Sequence, residues 1–322
     1  MNIFIYDKTF EGLLNAIFDA YSRKTFPDLL LSEDETLPLF YDDLHIVYTD
    51  NDKAERVWNG LMKKLSKPAL SCLAASWLSE LPEIDLLIFR YIRKAIEHYQ
   101  MIEEGDKIAV GLSGGKDSIT LLMGLKALQR FYPKHFDIVA ISVNPNFEFF
   151  NSDFLKQTCD NIGVKYVEAK SNIKDIVFDI RKEKNPCSLC ANLRRGILNS
   201  TAIAEGCNKL ALGHNEDDVL ETFFLNLLYA GNLSTFAPVS YMDRSQITLI
   251  RPLIYAPEKE IRSFIKRSNI SVMPKTCPMD GVSKRETMKD LIFKFSLDIP
   301  NVRANIMGAI KRANINGWKE IK

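Results

Sequence analysis

The sequence predicts an α/β protein: a parallel sheet covered by helices on both faces, preceded by a small helix-rich N-terminal domain. Three observations carry this. The chain has 322 residues, about two domains at roughly 150 residues each. Its 46% apolar and 26% charged residues match a globular protein with a sizeable core, which excludes disordered and fibrous classes. From residue 107 onward, short apolar runs alternate with helical stretches, the rhythm of strand, loop and helix. No apolar run reaches the roughly 18 residues that span a bilayer, and the opening lacks the charge-then-apolar order of a secretory signal. A cytoplasmic protein without membrane association is therefore expected.

The N-terminal domain is assigned to 1–92. Residues 3–6 predict a strand, and Thr9 caps a helix with Leu13, Leu14, Ile17, Phe18 and Tyr21 at helical spacing. Residues 44–48 predict a second strand. Asp50 or Asp52 caps a helix with Val57, Leu61 and Leu65 on one face, and Pro68 and Pro82 stand where further helices would begin. A helix over 84–99 runs directly toward the next motif, so no Gly/Ser linker marks the boundary near residue 92.

The second domain, 93–322, carries apolar runs at 108–112, 138–143, 165–167, 209–212 and 248–253. Ligands in such sheets bind outside the carboxyl ends of the strands, which directs attention to the residues after 112, 143 and 212. The polar-aromatic run 144–153 predicts a flexible loop. Charge is unevenly spread. Residues 1–92 hold 9 Lys/Arg against 15 Asp/Glu, whereas 244–322 hold 16 against 7. Such an excess suits a polyanion, with a solvated helical face as the plainer reading.

Directly after the first of these strands stands Ser113-Gly114-Gly115-Lys116-Asp117-Ser118, followed by a helical stretch. Glycines let the backbone approach a ligand closely, and the free N–H groups at the helix start favour phosphate. The run is neither a Walker A loop nor a G-x-G-x-x-G fingerprint. It resembles the PP-loop ATP pyrophosphatase superfamily, whose SGGKDS signature it matches at all six positions. The resemblance implies an adenine nucleotide alpha hydrolase-like, Rossmann-like fold, ATP as ligand, and adenylating chemistry.

Gly213-His214-Asn215-Glu216-Asp217-Asp218 follows a strand and opens a helix near Val219. Adjacent carboxylates at a strand end suit Mg²⁺ shared with nucleotide phosphates. Taken alone, Asp217 reads as an N-cap and His214 as a surface histidine. Beside a phosphate loop at a neighbouring strand end, both motifs point into one crevice. The element is similar to the GHxxDD of PP-loop tRNA-modifying enzymes.

Six cysteines occupy 72, 159, 187, 190, 207 and 277. Asn185 and Pro186 begin a helix that Gly206 ends, so Cys187 and Cys190 fall on one face of its first turn with Arg194 one turn on. The helix start and the cation favour thiolates. Leu189, Leu193 and Ile197 form a neighbouring packing stripe. Two cysteines cannot close a four-ligand site. Of Cys72, Cys159, Cys207 and Cys277, the second and third read as small buried residues, and Cys277 in its Pro-flanked loop before a basic helix is the preferred third ligand. Three thiolates suit either zinc or a cubane cluster with one open iron.

The segments CSLCANLRRGIL, LGHNEDDVLETFFLNLLYAG, MIEEGDKIAVGLSGGKDS and IRPLIYAPEKEI resemble the tRNA 2-thiocytidine synthetase group over about 93–312. The resemblance implies a 4Fe-4S cluster on Cys187, Cys190 and Cys277, and ATP-dependent thiolation of tRNA, with cytidine as target base. It implies further a sulfur donor, either a cysteine desulfurase or free sulfide, and a homodimer. In that reading Ser113 to Ser118, Val143, Gly213, His214 and Asp217 contact nucleotide. Lys116, Asp117, Asp218 and Arg194 carry the chemistry. Lys284, Arg285, Lys289, Arg303, Lys311 and Arg312 offer a face for RNA phosphates. Alternatives are an amidating PP-loop ligase with a structural zinc, or a zinc-stabilised RNA-binding or sulfur-carrier protein without turnover. YDKTFEGLLNAIFDAYSRKTFP, AERVWNGL and LSELPEIDLLIFRYIR resemble the front part of a bacterial domain of unknown role, associated with nucleic-acid repair or modification.

Overall fold

The computed structural model describes residues 1–32, 37–38, 40–65, 70, 86–130, 132–147, 150–181, 186–273 and 284–320. The chain divides into two compact units, Met1–Leu81 and Pro82–Lys322.

In the first unit, β1 (Asn2–Tyr6), β2 (Leu29–Ser32) and β3 (Asp43–Ile46) form a parallel sheet in the order β2-β1-β3. Ile3 and Phe4 of the central strand are fully buried. Helix α1 (Phe10–Arg23) begins as the sequence requires, with Thr9 accepting from the Gly12 N–H, and α2 (Asn51–Lys64) begins at Asp50 rather than Asp52. Two features differ from expectation. Strand β2, a four-residue run beside Pro27, carries too short a pattern to be read. The buried face of α1 is made by Phe10, Leu14, Ala16 and Ala20, while Tyr21 is 70% exposed and meets Phe26 edge-on.

The second unit opens with α3 (Leu86–Tyr99), which buries Ile88, Phe89, Ile92, Ala95 and Ile96. A Cβ on Gly124 would collide with Ile92, so glycine lets α3 lie close on α4 (Lys116–Leu128). That packing joins α3 to the second unit and puts the division ahead of residue 92.

The sheet has six strands: β4 (Asp106–Gly111), β5 (Phe136–Asn144), β6 (Lys165–Lys170), β7 (Lys209–Ala211), β8 (Val239–Met242) and β9 (Ile247–Ile250), in the order β6-β5-β4-β7-β9-β8. All neighbours are parallel except the edge hairpin of β8 and β9, and β8 was not anticipated. Ile108 of β4 pairs with Ile138 on one side and Lys209 on the other. Because both faces are covered, β4 reads as a continuous apolar run, with Ile108, Ala109 and Val110 fully buried. On one face α4 is buried nearly all round, through Ile119, Leu121, Leu122, Leu125 and Leu128. On the other, α6 (Pro186–Ala204) packs Leu198 and Ala202 against Val139, Ile141, Leu210 and Leu249. Between them lie α5 (Ser152–Ile162) and a π-helical turn at Asp175–Ile180. The strands thus deliver the ends of β4, β5 and β7 to one edge of the sheet. Beyond β7 follow α7 (Glu216–Ala230), α8 (Glu258–Arg267), α9 (Lys284–Asp298) and α10 (Val302–Arg312).

Candidate nucleotide and sulfur-transfer site

The loop after β4 is clasped from within. The Ser113 N–H and Oγ lie 3.2 and 3.1 Å from Ser118 Oγ, which donates to the Gly115 carbonyl at 2.9 Å. Gly114 adopts φ +79°, and its carbonyl accepts from the Met273 N–H at 2.9 Å; a Cβ there would run into the Met273 side chain. Gly115 stands at the N-cap of α4 without a capping side chain, so the first-turn N–H groups face the loop's concavity. Lys116 Nζ is held by Asp117 Oδ2 at 2.7 Å and Glu258 Oε1 at 3.0 Å. Burial pulls its ammonium down, but the two carboxylates override that, and the net shift is upward.

The second motif meets the first through a glycine. A Cβ on Gly213 would stand 3.0 Å from the Asp117 carbonyl carbon and 3.2 Å from the Ser118 nitrogen, so a side chain there would push the two backbones apart by a few tenths of an ångström. Helix α7 starts at Glu216, three residues before the expected Val219. Its N-cap is Asn215 rather than Asp217, and Asp218 completes a capping box. The Asn215 amide also donates to Asp117 Oδ1 at 3.0 Å, which ties the two motifs together. Asp218 is pushed up by burial and meets Arg285 at 2.7 Å; Glu221, one turn on, is pushed up to about 7, chiefly by burial and then by Asp218. Asp217 is engaged elsewhere. Its oxygens take Arg303 at 2.6 Å and the Glu258 N–H at 2.7 Å, so it braces α8 and α10 instead of facing the loop. The His214 ring lies 4.9 Å from that of Phe236, with Arg251 over the Phe236 ring. Burial, then Arg251, pushes His214 down to about 3, so it is neutral at physiological pH, and among the described residues its Nδ1 has no hydrogen-bond partner.

Helix α6 has Pro186 as its first residue and ends before Gly206 at φ +72°; Asn185 lies outside the described residues. Cys187 is exposed and Cys190 half-buried, with Arg194 Nη2 3.9 Å from Cys190 Sγ. Leu189, Leu193 and Ile197 pack on the sheet as the stripe predicts, joined by Cys190. Cys159 and Cys207 are buried, and burial pushes the Cys159 thiol up to about 12. Cys277 lies outside the described residues. Among the described residues no three metal-ligating side chains converge.

A cavity of about 480 Å³ opens at the strand ends. Ser113, Gly115, Asp117 and Ser118 line it from the loop, Val143 from β5, Gly213 and His214 from beyond β7, and Arg194 from α6. Gly114, which lies against Met273, is not among the lining residues, and neither are Lys116, Asp217 and Asp218. Met273, Phe147 and Phe150 line the same space and carry no motif that would single them out. Pro145, Phe147 and Phe150 of the 144–153 stretch are thus part of the wall, with Phe147 6.0 Å from Phe178 and α5 capped by Asn151. The cations of the basic C-terminal helices also make intramolecular contacts. Arg285 meets Asp218, Lys289 meets Glu258 at 2.8 Å, and Arg303 meets Asp217, while Lys284 and Lys311 lie over the Tyr229 and Tyr255 rings. These cations have intramolecular partners, while Arg285, Lys289 and Arg312 also remain 44%, 37% and 63% exposed.

The PP-loop domain model matches residues 88–286. A tRNA-cytidine(32) 2-sulfurtransferase of Syntrophotalea carbinolica is 37% identical over 237 residues, covering 71% of this chain and 92% of that protein. One from Geobacter metallireducens is 39% identical, covering 68% and 86%. Among solved structures, the U34-tRNA thiolase NcsA of Methanococcus maripaludis, determined with its 4Fe-4S cluster, is similar at 27% identity and a TM-score of 0.56, covering 70% of this chain and 77% of that one. With its phosphate loop, its GHxxDD turn and its CxxC helix opening on one cavity, the chain belongs to the PP-loop family, in the branch of the tRNA-cytidine 2-sulfurtransferases.

Proposed function

We propose that the chain is an ATP-dependent tRNA sulfurtransferase that replaces the 2-oxygen of a cytidine with sulfur, using Mg²⁺ and a 4Fe-4S cluster. The observation that carries this is the shared cavity: Asp117 of the phosphate loop and Arg194 of the CxxC helix line the same space. The α4 N–H groups and Lys116 would bind the ATP phosphates, and the apolar wall at Val143, Phe147 and Phe150 fits a purine. The base oxygen attacks the α-phosphorus and pyrophosphate leaves, turning the carbonyl oxygen into an adenylate leaving group; sulfide then takes its place on the ring and AMP departs. Arg194 would meet the negative charge that develops at the ring.

The chemistry of the described residues suits Mg²⁺ and supplies two of the three thiols that a cluster would take. Asp117 and Asp218 are oxygen donors whose charges are now met by Lys116 and Arg285, the compensation a hard cation would replace. Mg²⁺ there supplies charge neutralisation for the departing pyrophosphate. Cys187 and Cys190 are thiols at a helix start beside Arg194. Cys277, the third thiol that the resemblance implies, lies outside the described residues. A cluster held by these thiols would supply a Lewis-acidic iron for the sulfur chemistry. Sulfide or a cysteine desulfurase would be the donor and a homodimer the working form. Among the described residues no helix is long and apolar enough to cross a membrane.

Anaerobic purification tests the cluster. The wild type is expected to carry iron with the broad visible absorbance of an iron–sulfur centre, and Cys187→Ala to lose iron and thiolation together. A colourless zinc protein, or a Cys187→Ala variant with full iron and thiolation, would refute the cluster role.

A further inference from the structure

Glu258 opens α8 after Pro257, and three cations converge on its carboxylate. Lys116 Nζ and Arg262 Nη2 lie 3.0 and 2.7 Å from Oε1, and Lys289 Nζ lies 2.8 Å from Oε2. The side chain is 14% exposed, and its backbone N–H is fixed on Asp217. Three cations hold the carboxylate down to about 2, although burial opposes them, so it is charged at any physiological pH. Of the three, only Lys116 belongs to the phosphate loop.

A lysine ammonium is a point charge on a flexible stem, so its direction is set by what it binds. Lys116 is bound from two sides, by its neighbour Asp117 and by Glu258, which reaches it from beyond β9. Without Glu258 the ammonium would close on Asp117 alone, the carboxylate that the metal needs. Arg262 and Lys289 meanwhile compensate Glu258 whenever Lys116 turns away, which avoids a buried unpaired charge.

We propose that Glu258 is a positioning residue for Lys116, sharing its ammonium with Asp117 and holding it beside the phosphate loop for the ATP phosphates. The inference rests on the nucleotide reading of the site. Glu258 itself touches no substrate.

Calorimetric titration of Mg²⁺-ATP into the full-length chain, with steady-state pyrophosphate release, tests it. Glu258→Gln is expected to raise the ATP Kd and KM about tenfold, the scale of one charge-assisted contact, with kcat within about twofold. Glu258→Asp, which keeps the charge, is expected to fall between wild type and Glu258→Gln, and it carries the test alone if Glu258→Gln does not fold. Arg262→Gln, which removes a partner of the same oxygen but leaves Lys116 in place, is expected to bind ATP as wild type does. The inference is overturned if Glu258→Gln or Glu258→Asp binds ATP with wild-type affinity, or if Arg262→Gln weakens binding as much as Glu258→Gln. A wild-type chain that binds no ATP overturns the nucleotide reading itself, and this inference with it.

Discussion

Adjacent carboxylates divide their labour at Asp217 and Asp218. Asp217 has both oxygens committed to Arg303 and the Glu258 N–H, whereas Asp218 and Asp117 are joined through Asn215 beside the phosphate loop. Asp117→Ala is therefore expected to lower the rate of pyrophosphate release by at least about 100-fold with little loss of stability. Asp217→Asn is expected to do the reverse, costing about 1–3 kcal/mol of stability through its broken contacts, with kcat changed only a few-fold. Rate and melting measurements on the two variants separate these outcomes. His214 gives a pH signature. Unfolded, it protonates below about 6.5; folded, it stays neutral until about 3, so stability falls as pH drops between those values, by at most about 1.4 kcal/mol per pH unit. Denaturant titrations of wild type and His214→Gln from pH 7 to pH 4 should show a shallower pH slope in the variant. The motif residues were legible because their chemistry is local. Glu258 and Met273 were not, and Arg285 was read only as an RNA contact, because their partners, Lys116, Gly114 and Asp218, are far away in sequence.

At the scale of elements, the local signals that held were punctuation. Thr9, Asp50 and Pro186 start helices and Gly206 ends one where the sequence says they should. The start of α7 was misread because Asn215 and Asp218 share the capping, and Asp217, a carboxylate at the second helical position, looks like a cap in its own right. Strands β2 and β8 escaped because four residues at a sheet edge carry almost no period. At the other end of the sheet, Lys209 Nζ lies 2.7 Å from Asp106 Oδ2 and donates to the Met101 carbonyl, with both side chains buried. Lys209→Met would leave Asp106 as an uncompensated buried charge. Denaturant unfolding is expected to show a loss of about 3–5 kcal/mol, and a loss below about 1 kcal/mol would mean the pair is not structural.

Across the whole molecule, the alternation of apolar runs and helical stretches pointed to the α/β class, while net charge did not show which cations of the basic tail have intramolecular partners. A net excess of cations between residues 244 and 322 looks like an RNA face, yet the fold turns Arg285, Lys289 and Arg303 onto the acidic rim of the nucleotide site. Counting charge along the chain cannot distinguish a cation facing solvent from one whose carboxylate comes from another helix. Phosphate contacts lower the salt slope of RNA binding by about one unit each when removed. Arg303→Gln is accordingly expected to lower the melting temperature while leaving the salt slope of tRNA binding unchanged, and a shallower slope would return Arg303 to the RNA interface.

The central claim is that the nucleotide and the sulfur ligands serve a single reaction from one cavity. Mass analysis of nucleosides from tRNA incubated anaerobically with the purified chain, Mg²⁺-ATP and sulfide tests it most directly. 2-Thiocytidine is expected with the wild type and absent with Asp117→Ala and with Cys187→Ala, although both variants still bind tRNA. Wild-type protein that releases pyrophosphate yet leaves every cytidine unthiolated, or thiolation that survives Cys187→Ala, would contradict it.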